Sequence, residues 1–139
     1  MKKINIFLDD IREVIMSHND NKGLPYFNVN EIVIVRDYDS FVKIIDSRFD
    51  EIDIISFDHD LANIINNIEY TGKTATEYLI NYCIINEKKL PNWYIHSDNI
   101  IGSNNIKSLI INYLKLIEKV DVSSVLYFHK GRINNKFVK

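Results

Sequence analysis

The sequence predicts an α/β protein with a five-stranded parallel sheet of order 2-1-3-4-5 and helices on both faces, a flavodoxin-like three-layer sandwich. Short apolar runs alternate along the chain with segments of helical spacing, as in βαβ units. The runs are continuous rather than alternating, which is typical of parallel strands that are buried on both faces. Right-handed crossovers in a chain of only 139 residues favour this strand order.

The five strands are predicted from apolar and β-branched runs bounded by polar or turn-forming residues. They cover residues 4–8, 31–36, 52–57, 92–96 and 122–128. Polar segments with turn-forming residues separate them, so residues 17–30 and 61–72 are predicted to be loops.

The helices are predicted from spacing and capping signals. Residues 11–16 favour a helical turn, and a helix should begin at Asp39. Thr74 and Glu77 have the spacing of a capping box, which predicts a helix from there to about residue 87. The last helix follows Gly102 and presents one apolar face, formed by Ile106, Leu109, Ile110, Tyr113, Leu114 and Ile117.

Composition predicts one domain, residues 1–130, followed by a basic tail, 131–139. The net charge of −2 argues against tight non-specific binding to nucleic acid. A single cysteine excludes an internal disulfide framework and a multi-cysteine zinc site. No apolar run is long enough to span a bilayer, so we expect a cytoplasmic protein without a membrane partner, and a homodimer remains open.

Acidic residues follow two strands that the predicted order makes neighbours. Asp9 and Asp10 come after the first strand, and Asp58 and Asp60 come after the third. Four carboxylates at one edge would repel one another unless protons or a cation lie among them. Oxygen ligands of this kind favour Mg²⁺ or Mn²⁺. We therefore predict a divalent cation held by Asp9, Asp10 and Asp58.

Two histidines are predicted at the same edge. His59 lies between two of the acids, and His96 ends the fourth strand. His96 could act as general acid, metal ligand or phosphate donor. We predict that it protonates the leaving oxygen, with His59 and Asp60 as further catalytic groups, acting as ligands or supporting them.

Several polar residues nearby could orient a phosphate. Arg12 follows the first strand and could bind a phosphate through two nitrogens. Helix N-termini also bind anions through free N–H groups. The predicted substrate-binding residues are Arg12, Thr71, Gly72, Ser97, Asn99, Gly102 and Asn105.

The order and spacing of these motifs resemble the cyclic-phosphate processing receiver family, a divergent branch of the response-regulator receiver fold. The segments that carry the resemblance are Phe7-Leu8-Asp9-Asp10-x-Arg12, Ser56-Phe57-Asp58-His59-Asp60-Leu61, Thr71-Gly72 and His96-Ser97-x-Asn99-x-x-Gly102-x-x-Asn105-Ile106. The resemblance covers about residues 4–118, most of the chain. The resemblance implies a receiver-like fold and a role in handling cyclic phosphates, either of nucleotides or of RNA ends.

The residues favour a metal-dependent hydrolase of phosphate esters. The resemblance implies that it is a phosphodiesterase acting on a cyclic nucleotide or a 2′,3′-cyclic phosphate. One alternative is a phospho-accepting receiver, in which Asp58 would accept the phosphoryl group and Ser97 and Lys130 would assist. A second alternative is a protein that binds a cyclic nucleotide without cleaving it.

Overall fold

The structure, a computed structural model, describes residues 2–11, 31–122, 128–129 and 132–133. The strands are β1 (Ile4–Leu8), β2 (Glu31–Val35), β3 (Ile52–Phe57), β4 (Asn63–Ile65), β5 (Ile68–Tyr70), β6 (Asn92–Ile95), β7 (Phe128–His129) and β8 (Arg132–Ile133). The helices are α1 (Tyr38–Arg48), α2 (Gly72–Asn86) and α3 (Ile100–Tyr113). A 3₁₀ turn, Phe49–Glu51, follows α1, and a π-helical turn, Leu114–Glu118, follows α3.

The main sheet has the order β2-β1-β3-β6-β7-β8. β1 pairs in parallel with β2 on one side and with β3 on the other, so Leu8 lies opposite both Val35 and Phe57. β6 continues the parallel sheet beyond β3. The α/β class is confirmed, and so is the adjacency of the first and third strands on which the predicted site depends.

The predicted five-stranded, wholly parallel sheet is wrong. Of the predicted fifth strand, only residue 128 lies in β7, and residues 123–127 are outside the described part of the chain. β7 pairs in parallel with β6 at one position, and β8 then pairs antiparallel with β7. Only two residues separate β7 from β8, which is a hairpin length and too short for a parallel crossover.

A second, two-stranded sheet lies where the sequence predicted a loop. β4 and β5 pair antiparallel around Asn66 and Asn67, which both have positive φ, 53° and 65°. Positive φ at both central residues is typical of the tight turns that join hairpin strands. Because the strands are numbered along the chain, this inserted hairpin takes the numbers β4 and β5. The strand next to β3 in the main sheet is therefore β6, and the numbered order differs from the predicted 2-1-3-4-5.

The described helices pack on one face of the sheet. Contacts join α1 to α2 and α2 to α3, and all three contribute buried side chains to one apolar cluster with Ile4, Ile6 and Leu8. Asn5 and Phe7 alternate with these residues, so they are buried on the opposite face. The predicted helix at residues 11–16 lies outside the described residues after position 11, so helices on both faces stay a prediction.

Two helix starts differ from their predictions by about one turn. Thr71 caps α2, because its Oγ1 accepts from the N–H groups of Lys73 and Thr74 and the Thr74 hydroxyl accepts from Thr71 N. The predicted Thr74–Glu77 capping box is therefore wrong. Helix α3 starts at Ile100 rather than after Gly102, with Asn99 as its cap. Among the described helices, none is long and apolar enough to cross a membrane.

Candidate functional site

Three site residues are positioned by the sheet itself, because each continues the backbone ladder just past the end of its strand. Asp9 N donates to Val35 O at 3.0 Å, Asp58 N to Leu8 O at 2.9 Å, and His96 N to Phe57 O at 2.9 Å. Each N–H bonds to the neighbouring strand, so the three side chains start from one rigid edge. This is the carboxyl edge at which α/β sheets bind ligands.

Asp9 and His96 form a buried pair beneath this edge. His96 Nε2 lies 2.9 Å from Asp9 Oδ2, and the two side chains are 5% and 1% exposed. The other ring nitrogen, Nδ1, lies 2.6 Å from Ser56 Oγ, which is fully buried. Phe7 stacks on the imidazole with ring centroids 4.3 Å apart and planes 6° apart. The orientation of His96 is therefore set on both ring edges and on one face.

Asp9, Asp58 and His96 together form a donor set that could hold a metal ion. One ligand atom from each lies within 4.8 Å of the others, and all three residues are buried. Two carboxylates and an imidazole are ligands that suit Mn²⁺, Fe²⁺ or Zn²⁺ as well as Mg²⁺. Asp10, predicted as a third carboxylate ligand, is half-buried and is not part of this group.

A second, more exposed histidine pair lies beside the first. His59 Nδ1 donates to Asp60 Oδ1 at 2.8 Å, and Asn99 Nδ2 donates to both oxygens of the same carboxylate. The hydrogen bond from His59, with help from Asn99, lowers the pKa of Asp60 below its usual value. The His59 side chain is 15% exposed and that of Asp60 is 60% exposed. Within the described part of the chain, the hydrogen bonds of the His59 ring are made at Nδ1, so Nε2 is the ring atom that could reach a ligand.

Two glycines allow helices to approach this pair. A Cβ at Gly72 would overlap the carbonyl oxygen of Asp58, and one at Gly102 would overlap the His59 ring. Gly72 N also donates to His59 O at 2.7 Å. Gly72 and Gly102 thus make space for the backbone and ring of the site residues, and their predicted contact with substrate stays a prediction.

The other predicted substrate-binding residues have different surroundings. Asn99 Oδ1 accepts from Gly102 N at 2.7 Å, so the amide both caps α3 and holds Asp60. Buried Ser97 accepts from Asn99 N at 3.0 Å through its Oγ. Asn105 is exposed one turn further along α3. Thr71 caps α2, and Arg12 lies outside the described residues.

Sequence reasoning missed Ser56 and Phe7 as parts of the site. A signal for both is present, because side chains two residues apart on a strand share a face. Ser56 precedes Asp58 by two positions, and Phe7 precedes Asp9 by two. A serine within the apolar run Ile-Ile-Ser-Phe is a polar group that must find a partner when it is buried.

This fold and site define a receiver-like α/β domain with acids at the ends of two adjacent parallel strands. The model of the cyclic-phosphate processing receiver domain matches residues 4–112, which is most of the chain. The chain therefore belongs to the cyclic-phosphate processing receiver domain family, and the resemblance seen in its motifs is confirmed. No curated protein and no solved structure gives a significant match.

Proposed function

We propose that this protein is a metal-dependent phosphoesterase that opens the ring of a cyclic nucleotide or another cyclic phosphate. The observation that carries this proposal is the convergence of Asp9, Asp58 and His96 within 4.8 Å, next to the His59–Asp60 pair. The family supports cyclic phosphates as the substrate class. An acidic edge accepts a phosphate when a cation reverses its local charge.

The donor set fits a divalent cation such as Mg²⁺ or Mn²⁺. Two buried carboxylates at one edge repel each other, and a cation bound between them would offset that repulsion. Asp9, Asp58 and His96 would hold the ion. When bound, such an ion supplies an activated water and stabilises charge on the phosphoryl oxygens.

His59 is the better candidate for the proton donor, the role that sequence reasoning gave to His96. Both ring nitrogens of His96 already have partners, and its side chain is 5% exposed. His59 has one nitrogen held by Asp60, which sets the ring orientation as in other histidine–carboxylate pairs. Its Nε2 would donate a proton to the leaving oxygen.

In the proposed step, a water that has released one proton to solvent forms a new bond from its oxygen to phosphorus, and the ester P–O bond of the ring breaks. The leaving alkoxide takes the Nε2 proton of His59 in its imidazolium form, and the ring regains that proton from solvent. Asp60 and Asn99 keep the imidazole in position during this exchange. Fully buried Ser97 accepts from Asn99 N and so helps to hold Asn99 in place.

A panel of substrates tests the proposal directly. The protein is incubated with Mg²⁺ or Mn²⁺ and with 3′,5′-cyclic nucleotides, cyclic dinucleotides and 2′,3′-cyclic phosphates, and products are identified by mass spectrometry. We expect a linear phosphomonoester or a linear dinucleotide from at least one of them, and no product from Asp58→Asn. A ligand recovered intact after heat release would indicate a binding protein instead. A stable phosphoprotein formed from acetyl phosphate would favour the phospho-accepting receiver.

The role of His59 can be separated from that of the cation by changing the leaving group. His59→Gln should reduce turnover of the cyclic substrate by about 10²–10⁴-fold, the usual contribution of a positioned proton donor. It should retain most activity on bis(p-nitrophenyl) phosphate, because nitrophenolate leaves without a proton. The matched variant His96→Gln should lose activity on both substrates in parallel. Equal losses for His59→Gln on the two substrates would remove His59 from this role.

A further inference from the structure

The buried serine Ser56 has a contact that the proposed reaction does not yet use. Its Oγ lies 2.6 Å from His96 Nδ1, on the ring edge opposite Asp9, and the residue is 0% exposed. A polar group that is buried this deeply destabilises the protein unless it is paired, so the Ser56 hydroxyl and His96 Nδ1 depend on each other for a hydrogen bond. Ser56, His96 and Asp9 together form a line of three hydrogen-bonded groups.

This line is not a nucleophilic triad, although it contains the same residue types. In the serine hydrolase arrangement, Nε2 takes the serine proton and Nδ1 is held by the aspartate. Here the ring is reversed, with Ser56 on Nδ1 and Asp9 on Nε2. Ser56 is also fully buried, so no substrate phosphate can reach its hydroxyl.

The Asp9 contact determines which nitrogen of His96 carries the proton. A carboxylate only accepts hydrogen bonds, so Nε2 is protonated and donates to Asp9 Oδ2 at 2.9 Å. In the neutral ring Nδ1 is then an acceptor, and the Ser56 hydroxyl donates to it. This is the Nε2–H tautomer.

A cation at this site requires the other tautomer. A histidine binds a metal ion through an unprotonated nitrogen and usually donates its other N–H to a nearby acceptor. With Nε2 as the ligand atom, Nε2 gives its proton to solvent and Nδ1 takes one from solvent, so the net charge of the ring does not change. Nδ1–H must then donate, and Ser56 Oγ must accept.

We propose that Ser56 is a positioning residue whose hydroxyl, able both to donate and to accept, allows His96 to exchange its bond to Asp9 for a divalent cation. Serine and threonine hydroxyls can rotate to serve both tautomers, whereas alanine serves neither. This inference rests on the proposed function, because it takes His96 as a metal ligand. It adds a residue for which neither the family match nor the motif spacing gives a role.

The test measures cation affinity and the His96 tautomer rather than turnover alone. Zn²⁺ is the probe, because it is diamagnetic and binds histidine and carboxylate ligands well. Long-range ¹H–¹⁵N spectra of the wild-type protein should show the Nε2–H form of His96 without Zn²⁺ and the Nδ1–H form with it. By calorimetry, Ser56→Ala should bind Zn²⁺ about 10–100-fold more weakly, and Ser56→Thr should bind close to wild type.

Thr76→Val is the matched control, because Thr76 is also fully buried and its hydroxyl donates to Gly72 O at 2.8 Å. It should lose stability like Ser56→Ala but keep its Zn²⁺ affinity. Wild-type affinity in Ser56→Ala, or an unchanged Nε2–H signal in Zn²⁺-loaded wild type, would overturn the role of Ser56 and leave the phosphoesterase proposal standing. Absence of any cation binding by the wild type would overturn both.

Discussion

The two histidines of the site differ in burial although each is bonded to an aspartate. His96 and Asp9 are 5% and 1% exposed, and the ring is enclosed by Ser56 and Phe7. The side chains of His59 and Asp60 are 15% and 60% exposed. The same pair of residue types therefore occurs once within the sheet edge and once at the surface of the protein.

This difference in burial suits the two histidines to different roles in the site. A buried, fully oriented imidazole is suited to hold a cation, because its geometry is set before the ion arrives. A partly exposed imidazole with one nitrogen held is suited to exchange protons with substrate and solvent. Burial, rather than residue type, therefore assigns the two proposed roles.

The largest expected effect is on stability, measured by urea unfolding without added metal. His96→Ala would remove the hydrogen bond to Oδ2 of the buried Asp9 carboxylate, which should lower the free energy of unfolding by about 3 kcal/mol. His59→Ala breaks an exposed pair and should cost less than about 1 kcal/mol. Similar losses for the two variants would mean that the pairs are not energetically distinct.

A smaller effect, on turnover, is expected from Gly102→Ala, because this substitution affects only the exposed pair of His59 and Asp60. The added methyl group would overlap the His59 ring and displace it, so turnover should fall by about 10²-fold while Zn²⁺ affinity stays unchanged. Asn104→Ala, an exposed change in the same turn of α3, is the control and should keep full turnover. Normal turnover in Gly102→Ala would show that the position of the His59 ring does not limit the reaction.

The smallest effect concerns the backbone just after the exposed pair. Ala62 has φ of 49°, in the left-handed region that residues other than glycine adopt at a cost of about 1–2 kcal/mol. Ala62→Gly should therefore raise the free energy of unfolding by up to about 1 kcal/mol. Ala62→Val, with a β-branched side chain, should lower it. A decrease in thermal stability for Ala62→Gly would show that the gain in backbone freedom outweighs the relief of strain.

The sequence predicted the elements that depend on local patterns. The first strand, with Ile4, Ile6 and Leu8, and the start of α1 near Asp39 follow from apolar runs and helical spacing. It failed where turn chemistry decided the structure. The polar composition of residues 61–72 predicts a loop, whereas Asn66 and Asn67 form the turn of a hairpin between two short apolar runs.

The sequence predicts which edge of the sheet carries the site, but it does not predict which side chains pair with one another there. Strand order brings Asp9, Asp58 and His96 together, and strand ends are visible in the sequence. The division into a buried and an exposed histidine pair was not visible, because the two motifs contain the same kinds of residues. The partners Ser56 and Asn99 distinguish them, and both bind histidine or aspartate side chains about 40 positions away in sequence.

The sequence by itself determined the α/β class, the family and the set of acids and histidines at one sheet edge, because alternation, spacing and motif order are local properties of the chain. Only the tertiary structure decided which nitrogen of each histidine is held and by what. His96 meets Ser56 because neighbouring strands present alternate side chains to the same face, and His59 meets Asn99 because Gly102 allows α3 to approach the ring. Burial and partner choice depend on such long-range contacts, which no segment of the sequence contains.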